Sequence, residues 1–179
     1  HLPDSVSNIG ESAFKGSALV NVTLPGSVTD VGNSAFEGCN NLVSASVNEG
    51  LRTIGDHAFH ACRSRQYIDF PSTIESVGAG AFMSCDKMTR VRFKPGTRDV
   101  TFNGNGTFAQ CTYLTDVTLP QGLTEIVDDM FQSCTMLSNI YIPATVKKIG
   151  IQLPFSGYGF QNGGTIAYGG SQTTWDSIG

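Results

Sequence analysis

The sequence predicts a solenoid in which every coil contributes one strand to a parallel sheet, and three observations carry that prediction. First, phenylalanine recurs in one setting at Phe14, Phe36, Phe59, Phe82, Phe108 and Phe131. The gaps are about 22, 23, 23, 26 and 23 residues, the period of units that must stack because none can bury its own apolar side. Second, the same frame surrounds each copy: Leu-x-x-Val-x-Leu-Pro, a few small or polar residues, Val/Ile-Gly, two variable positions, Ala-Phe, two more and Cys. Third, each copy holds a short alternation of apolar and polar residues, the period-2 signature of a strand with one buried face.

The strands follow from that alternation in order. Their inward pairs are Val22 and Leu24, Ala45 and Val47, Ile68 and Phe70, Val91 and Phe93, Val117 and Leu119, and Ile140 and Ile142. Proline after the strand, at Pro25, Pro71, Pro120 and Pro143, lacks the donor that a central ladder needs and so marks a corner. Glycine at Gly10, Gly32, Gly55, Gly78 and Gly150 suits either a turn with positive φ or a close approach between coils. The Ala-Phe-x-x-Cys segment then returns the chain, expected as one short helical turn with the phenylalanine in the middle of the coil.

Three departures stand out. The unit from Phe82 to Phe108 is longer than its neighbours and contains Asn103-Gly104-Asn105-Gly106, which predicts a bulge at one corner. Arg65 stands where the preceding copy has Leu42, and Phe155 arrives late after Ile149-Gly150. The expected organisation is therefore a repeat array over 1–155, about six full coils and a partial seventh, closed by a Tyr/Gly-rich segment over 156–179. The chain starts within a repeat at Leu2-Pro3 and is expected to be part of a longer protein.

Composition excludes some partners. The 179 residues carry 11 basic and 15 acidic side chains, a net charge of -4, and no basic run exceeds Lys147-Lys148. A nucleic-acid footprint is missing. The longest apolar stretches fall far short of the roughly 20 residues that cross a bilayer, so no direct membrane insertion is expected.

Units with this Leu-Pro, Ile-Gly, Ala-Phe-x-x-Cys and Leu-x-x-Val pattern resemble the BspA-like leucine-rich repeats of surface proteins from host-associated bacteria and some protists. The likeness covers nearly all of Leu2 to Gly150. In the tail, Thr165-Ile166-Ala167-Tyr168-Gly169-Gly170-Ser171 followed by Thr174-Trp175-Asp176-Ser177-Ile178 is similar to the segment that ends many bacterial arrays. There Ser171 would cap a short helix carrying Trp175 and Ile178 onto the last coil. The resemblance implies a right-handed leucine-rich repeat solenoid, irregular or briefly helical opposite its sheet. It also implies an extracellular or cell-surface location and a role in adhesion to host cells, matrix proteins or other microbes. It carries over no catalytic residue.

The candidate sites sort by their place in the repeat. Cys39, Cys62, Cys85, Cys111 and Cys134 each follow a repeat phenylalanine by three positions, forming a column at ~5 Å spacing. Neighbouring disulfides are geometrically conceivable. The odd count and Ser17 in the first copy instead favour buried small thiols, and a one-dimensional column does not converge on a metal. Asp56, His57 and His60 occupy variable corner positions, as do Glu125, Asp128 and Asp129, so neither group is expected to form a metal or catalytic site. The sequons at Asn21 and Asn105 are given no role.

The outward strand positions are more informative. They run Asn21/Thr23, Ser44/Ser46, Tyr67/Asp69, Arg90/Arg92, Asp116/Thr118 and Asn139/Tyr141. Tyr67, Asp69, Arg90, Arg92, Asp116 and Tyr141 form the candidate ligand face, since aromatics and arginine are enriched where proteins bind. The expected function is noncatalytic, cofactor-free binding of a protein or glycan by an exported bacterial surface protein, with a passive stalk or spacer as the alternative.

Overall fold

The computed structural model describes residues 2–97, 99–151 and 163–178. Two series of parallel strands alternate along the chain. The longer strands are β2 (Asn21–Thr23), β4 (Ser44–Ser46), β6 (Tyr67–Phe70), β8 (Arg90–Phe93), β10 (Asp116–Thr118), β12 (Asn139–Ile142) and β14 (Thr165–Tyr168). Between them lie the two-residue strands β1 (Asn8–Ile9), β3 (Asp30–Val31), β5 (Thr53–Ile54), β7 (Ser76–Val77), β9 (Thr101–Phe102), β11 (Glu125–Ile126) and β13 (Lys148–Ile149). Each coil therefore has two ladders, and the second was not anticipated from the sequence. In-register pairing puts apolar on apolar, as in Ile68↔Val91, Val117↔Ile140 and Ile54↔Val77.

The Ala-Phe-x-x-Cys side is not helical. Ser34, Phe36 and Gly38 donate their N–H groups to Asp56, Ala58 and His60 of the next coil. The intervening Ala35, Glu37 and Cys39 bond back three residues to Gly32, Ser34 and Phe36. A helix would turn every N–H inward along one axis. Here positive φ at Ser34 (54°) and Gly38 (71°) alternates the direction and forms a third inter-coil ladder. Similar donors recur from Ser12 to Asp129, without a gap.

The repeat phenylalanines stack with centroids 5.2, 5.0, 5.2, 5.5 and 5.7 Å apart and planes within 14°. Phe36, Phe59, Phe82, Phe108 and Phe131 are fully buried, each worth about 1.5–3 kcal/mol of apolar transfer. Phe14 departs from the expected core role: it is only partly buried, because a neighbouring ring covers it on one side alone. All five cysteines are free and buried. Each Sγ donates to a phenylalanine carbonyl one coil back: Cys39 to Phe14 at 3.0 Å, Cys62 to Phe36 at 3.1 Å and Cys85 to Phe59 at 3.3 Å. Cys111 and Cys134 repeat the contact to Phe82 at 3.2 Å and Phe108 at 3.1 Å. Burial raises the Cys62 and Cys85 thiols and pushes Cys134 up to about 12, so these groups stay protonated and unreactive.

Of the two reasons for glycine at the corner, close approach is the one that operates at Gly32, Gly55, Gly78 and Gly150, whereas a Cβ on Gly10 would meet nothing within 4 Å. A Cβ on Gly55 or Gly78 would lie 2.7 or 2.5 Å from the backbone nitrogen of Asn33 or Asp56. Asn33 and Asp56 then accept the backbone N–H of Asp56 and Ala79, locking the corner between coils.

Each of the two strand ladders is interrupted once. The face sheet divides into β2-β4 and β6-β8-β10-β12-β14, and the second ladder divides between β9 and β11. The long unit does not bulge at a single corner. The register Ile68↔Val91 and Val77↔Phe102 puts two extra residues between β8 and β9, and only one between Phe102 and Phe108. In the tail, β14 pairs with β12. Ser171 Oγ accepts from Thr174 N at the start of the four-residue helix Gln172–Trp175, and Trp175 lies 5.1 Å from the Tyr168 ring. Phe155 and the start of the expected closing segment, 156–162, lie outside the described residues.

Candidate functional site

The parallel register aligns the outward residues as two rows. Tyr67, Arg90, Asp116 and Asn139 form one, and Asp69 with Arg92, then Thr118 with Tyr141, form the other. Because successive strands project side chains at ladder spacing, residues about 23 positions apart in sequence become neighbours.

The six face residues divide into two groups. At one end Arg90 spends its charge internally: Nη2 lies 3.1 Å from Asp69 Oδ2, and the guanidinium sits 4.9 Å over the Tyr67 ring. Such a part-exposed pair contributes about 0.2–1 kcal/mol, so its effect is mainly to hold Tyr67 upright. Toward the other end, Asp116 accepts from Asn139 Nδ2 at 3.2 Å and from Thr115 Oγ1 at 2.6 Å. Tyr141 receives Gln121 Nε2 at 3.2 Å. Arg92 is exposed and has no ion-pair partner among the described residues. A shallow groove of about 290 Å³ runs past Arg92, Asp116, Thr118, Asn139, Tyr141 and Thr165.

The first interruption of the face sheet is a second feature of this surface. Its cause is Arg65, which occupies the core column otherwise filled by Leu19, Leu42, Met88, Leu114 and Leu137. Arg65 is fully buried. Its guanidinium lies 4.9 Å from the Phe59 centroid and 5.7 Å from that of Phe82, and Nη2 donates to the Ala45 carbonyl at 3.3 Å. That carbonyl belongs to β4, so a side chain takes the acceptor that strand pairing would use. Val43, Thr89, Thr115 and Ser138 each donate to the preceding coil at one equivalent position. Gln66 is the corresponding residue at the break and makes no such bond to Val43.

Elsewhere the titratable groups are tied into coil-to-coil pairs. Glu49 accepts from Ser72 and, at 2.7 Å, from Lys94 Nζ; these contacts hold its carboxyl below the usual range, the Lys94 bond most of all. His57 is exposed, and His60 lies 3.9 Å from Glu37. Glu125 pairs with Lys148 at 2.6 Å, while Asp128 accepts the Ile151 N–H. Among the described residues no three His, Cys, Asp or Glu side chains could jointly hold a metal, and no helix is long and apolar enough to cross a membrane.

Stacked parallel strands at a repeat of about 23 residues, with one leucine-type column per coil, define a leucine-rich repeat protein. Six copies of the BspA type leucine rich repeat region match residues 1–103 and 41–157, and the chain belongs to that family. It is similar to the leucine-rich repeat protein of T. pallidum, with 34% identity and a TM-score of 0.75 over 83% of this chain and 70% of that one. A leucine rich cell surface protein of Faecalibacterium prausnitzii is similar over 98% of this chain and 55% of its own, with 30% identity and a TM-score of 0.67. The pneumococcal vaccine antigen PcpA shares the fold at 16% identity and a TM-score of 0.54. No curated protein matches.

Proposed function

We propose that the chain is a noncatalytic, cofactor-free binding module of a bacterial surface protein, engaging a protein or glycan through the face of β6 to β12, in adhesion or host contact. The observation that carries this reading is the groove beside Arg92. There an arginine with no ion-pair partner among the described residues, a carboxylate and a tyrosine converge on a surface already ordered by the sheet. Pre-ordered groups lose little freedom on binding. The cell-surface description of the F. prausnitzii relative supports an extracellular setting.

The test is a binding screen against matrix proteins, mucin glycans and bacterial surface material, run beside a Tyr67→Ala, Arg90→Ala, Arg92→Ala triple variant. Saturable binding that the folded variant loses supports the module. Equal binding by both proteins removes the face from the reading, and no binding by either favours a spacer.

A further inference from the structure

The interruption at Arg65 leaves a slit between β4 and β6. One end opens into a groove of about 190 Å³ bordered by Ser44, Ser46, Tyr67, Asp69 and Lys94. The other end opens onto a shallow surface depression of about 430 Å³ bordered by Val43, Ser64, Gln66, Lys87 and Thr89. Both walls are strand edges that no ladder joins, so they present unpaired backbone donors and acceptors to each other.

The charges around the slit are unevenly matched. Lys94 is paired with Glu49, and Arg90 with Asp69. Lys87 lies 4.8 Å over the Tyr113 ring and has no ion-pair partner among the described residues. Arg65 is the extreme case: it is fully buried, donates Nη2 to the Ala45 carbonyl, and leaves Nε and Nη1 without a partner among the described residues. Arginine does not escape such a position by losing its proton. A buried cation without a counter-ion, with two orphan donors, is among the costliest arrangements a core can hold. Once Nη2 leaves the Ala45 carbonyl, the adjacent Nε–H and Nη2–H of this planar guanidinium match a carboxylate, which accepts two parallel bonds.

We propose that the slit is a binding site for the free carboxylate of an extended peptide, with Arg65 as its counter-ion and the open edges of β4 and β6 as its backbone partners. The carboxylate enters at the Lys87 end, where Gln66 offers an unused N–H. It replaces the Ala45 carbonyl on Arg65. The two walls share no strand hydrogen bond, so they part without breaking a ladder. The peptide then lies along the slit as an added strand, as chains do at exposed sheet edges. The site stands apart from the Arg92 groove and does not depend on it.

The experiment follows the Arg65 Nε–Hε resonance by NMR, assigned by its loss in Arg65→Leu, during titration with trialanine as the free acid. Trialanine amide, acetate, acetamide and glucuronate run in parallel at constant ionic strength. The expected result is a saturable shift with the free acid, at least tenfold weaker apparent affinity for the amide, a smaller response to acetate, and none to acetamide. Arg65→Leu should bind no probe, whereas Arg92→Ala should bind as the parent does. An unmoved Arg65 resonance, equal affinity for acid and amide, or binding retained by Arg65→Leu overturns the site. A stronger response to glucuronate than to the peptide acid overturns the peptide assignment. The resonance is read on the unaltered protein, so the outcome does not rest on the variant's folding.

Discussion

The two interruptions of the ladders have opposite origins. Between β4 and β6 the spacing is unchanged, with Ala45 and Ile68 the usual 23 positions apart, and a single side chain opens the sheet. Between β9 and β11 added length shifts the chain out of pairing, and the core departs in size, with Phe102 in the column of Val77 and Ile126 and Thr107 in that of Ala81, but places no charge there. The first lesion lies beneath the surface and leaves a charge uncompensated. The second is absorbed by exposed corners, where Asn103 Nδ2 bonds Ser76 Oγ at 2.7 Å and Gly104 supplies a φ of 82°. A solenoid tolerates irregular length because loop entropy grows slowly, whereas a core column is sensitive to one residue's chemistry. The third ladder crosses both breaks intact, which explains why neither divides the stack.

The largest expected effect joins the two regions. Phe82 stacks on Phe59 and Phe108, meets the Phe70 ring edge-on at 5.7 Å and faces the Arg65 guanidinium. Phe82→Ala should cost about 3–5 kcal/mol in a denaturant melt, from lost burial plus a cavity. Phe14→Ala, at the half-covered end, should cost far less. Equal shifts for the two would mean that ring burial is not what holds the stack.

Next comes the slit itself. Arg65→Leu restores the residue type of the column, removes an unpaired buried charge and lets β4 close on β6. Stability without ligand should rise by about 1–4 kcal/mol, as when other buried charges give way to packed apolar groups. Hydrogen exchange at Gln66 should slow at the same time. A loss of stability would show that contacts with Phe59, Phe82 and Ala45 outweigh the charge cost. By contrast, deleting Gly104 shortens the irregular corner by the one extra residue there. It should move stability by less than about 1 kcal/mol and leave exchange at Gln66 unchanged. Coupling between the deletion and Arg65→Leu beyond about 0.5 kcal/mol would mean that the breaks communicate.

How much of this was legible in the sequence follows from which signals are periodic. The face strands were readable because Val22 with Leu24, or Ile140 with Ile142, alternate with polar neighbours. The second ladder was not, since each of its strands buries one residue, such as Ile54 or Val77, and two residues cannot show an alternation. The glycine that follows fits a turn or a close approach equally well in the sequence, and only the packing of Gly55 against the Asn33 backbone decides for the second. Tyr67, Arg90 and Asp69 were visible as a cluster, but their mutual engagement depends on the register. Arg65 was visible as a departure from leucine. That its guanidinium points inward and takes the Ala45 carbonyl is a property of packing between coils, which no single unit's sequence encodes.

The uninterrupted side offers the smallest and most local test. His60 contributes its carbonyl to that ladder, accepting the Gly38 N–H at 2.8 Å, and its imidazole sits beside Glu37 and His57. Burial is the main cause that lowers the His60 pKa below 6.5, with the His57 charge adding to it and Glu37 opposing it. The unfolded chain therefore takes up this proton first as pH falls. The stabilisation from His60 is fully present above pH 6.5 and is lost as pH drops through the lower folded value. Glu37 adds a separate window. Hydrogen bonds from Ser34 and Lys15 hold its carboxyl below 4.5, so its contribution disappears only below that pH. His60→Gln should flatten the stability profile just below pH 6.5 by a few tenths of a kcal/mol, a small effect because solvent screens the site. It should leave the more acidic fall in place. Thermal melts of both proteins across this range would check it, and an unchanged profile would mean that His60 is as well solvated folded as unfolded. The same melts on Arg65→Leu should show a parallel profile displaced upward, since guanidinium charge does not titrate in this range. The interrupted and the continuous sides are thereby separable by pH alone.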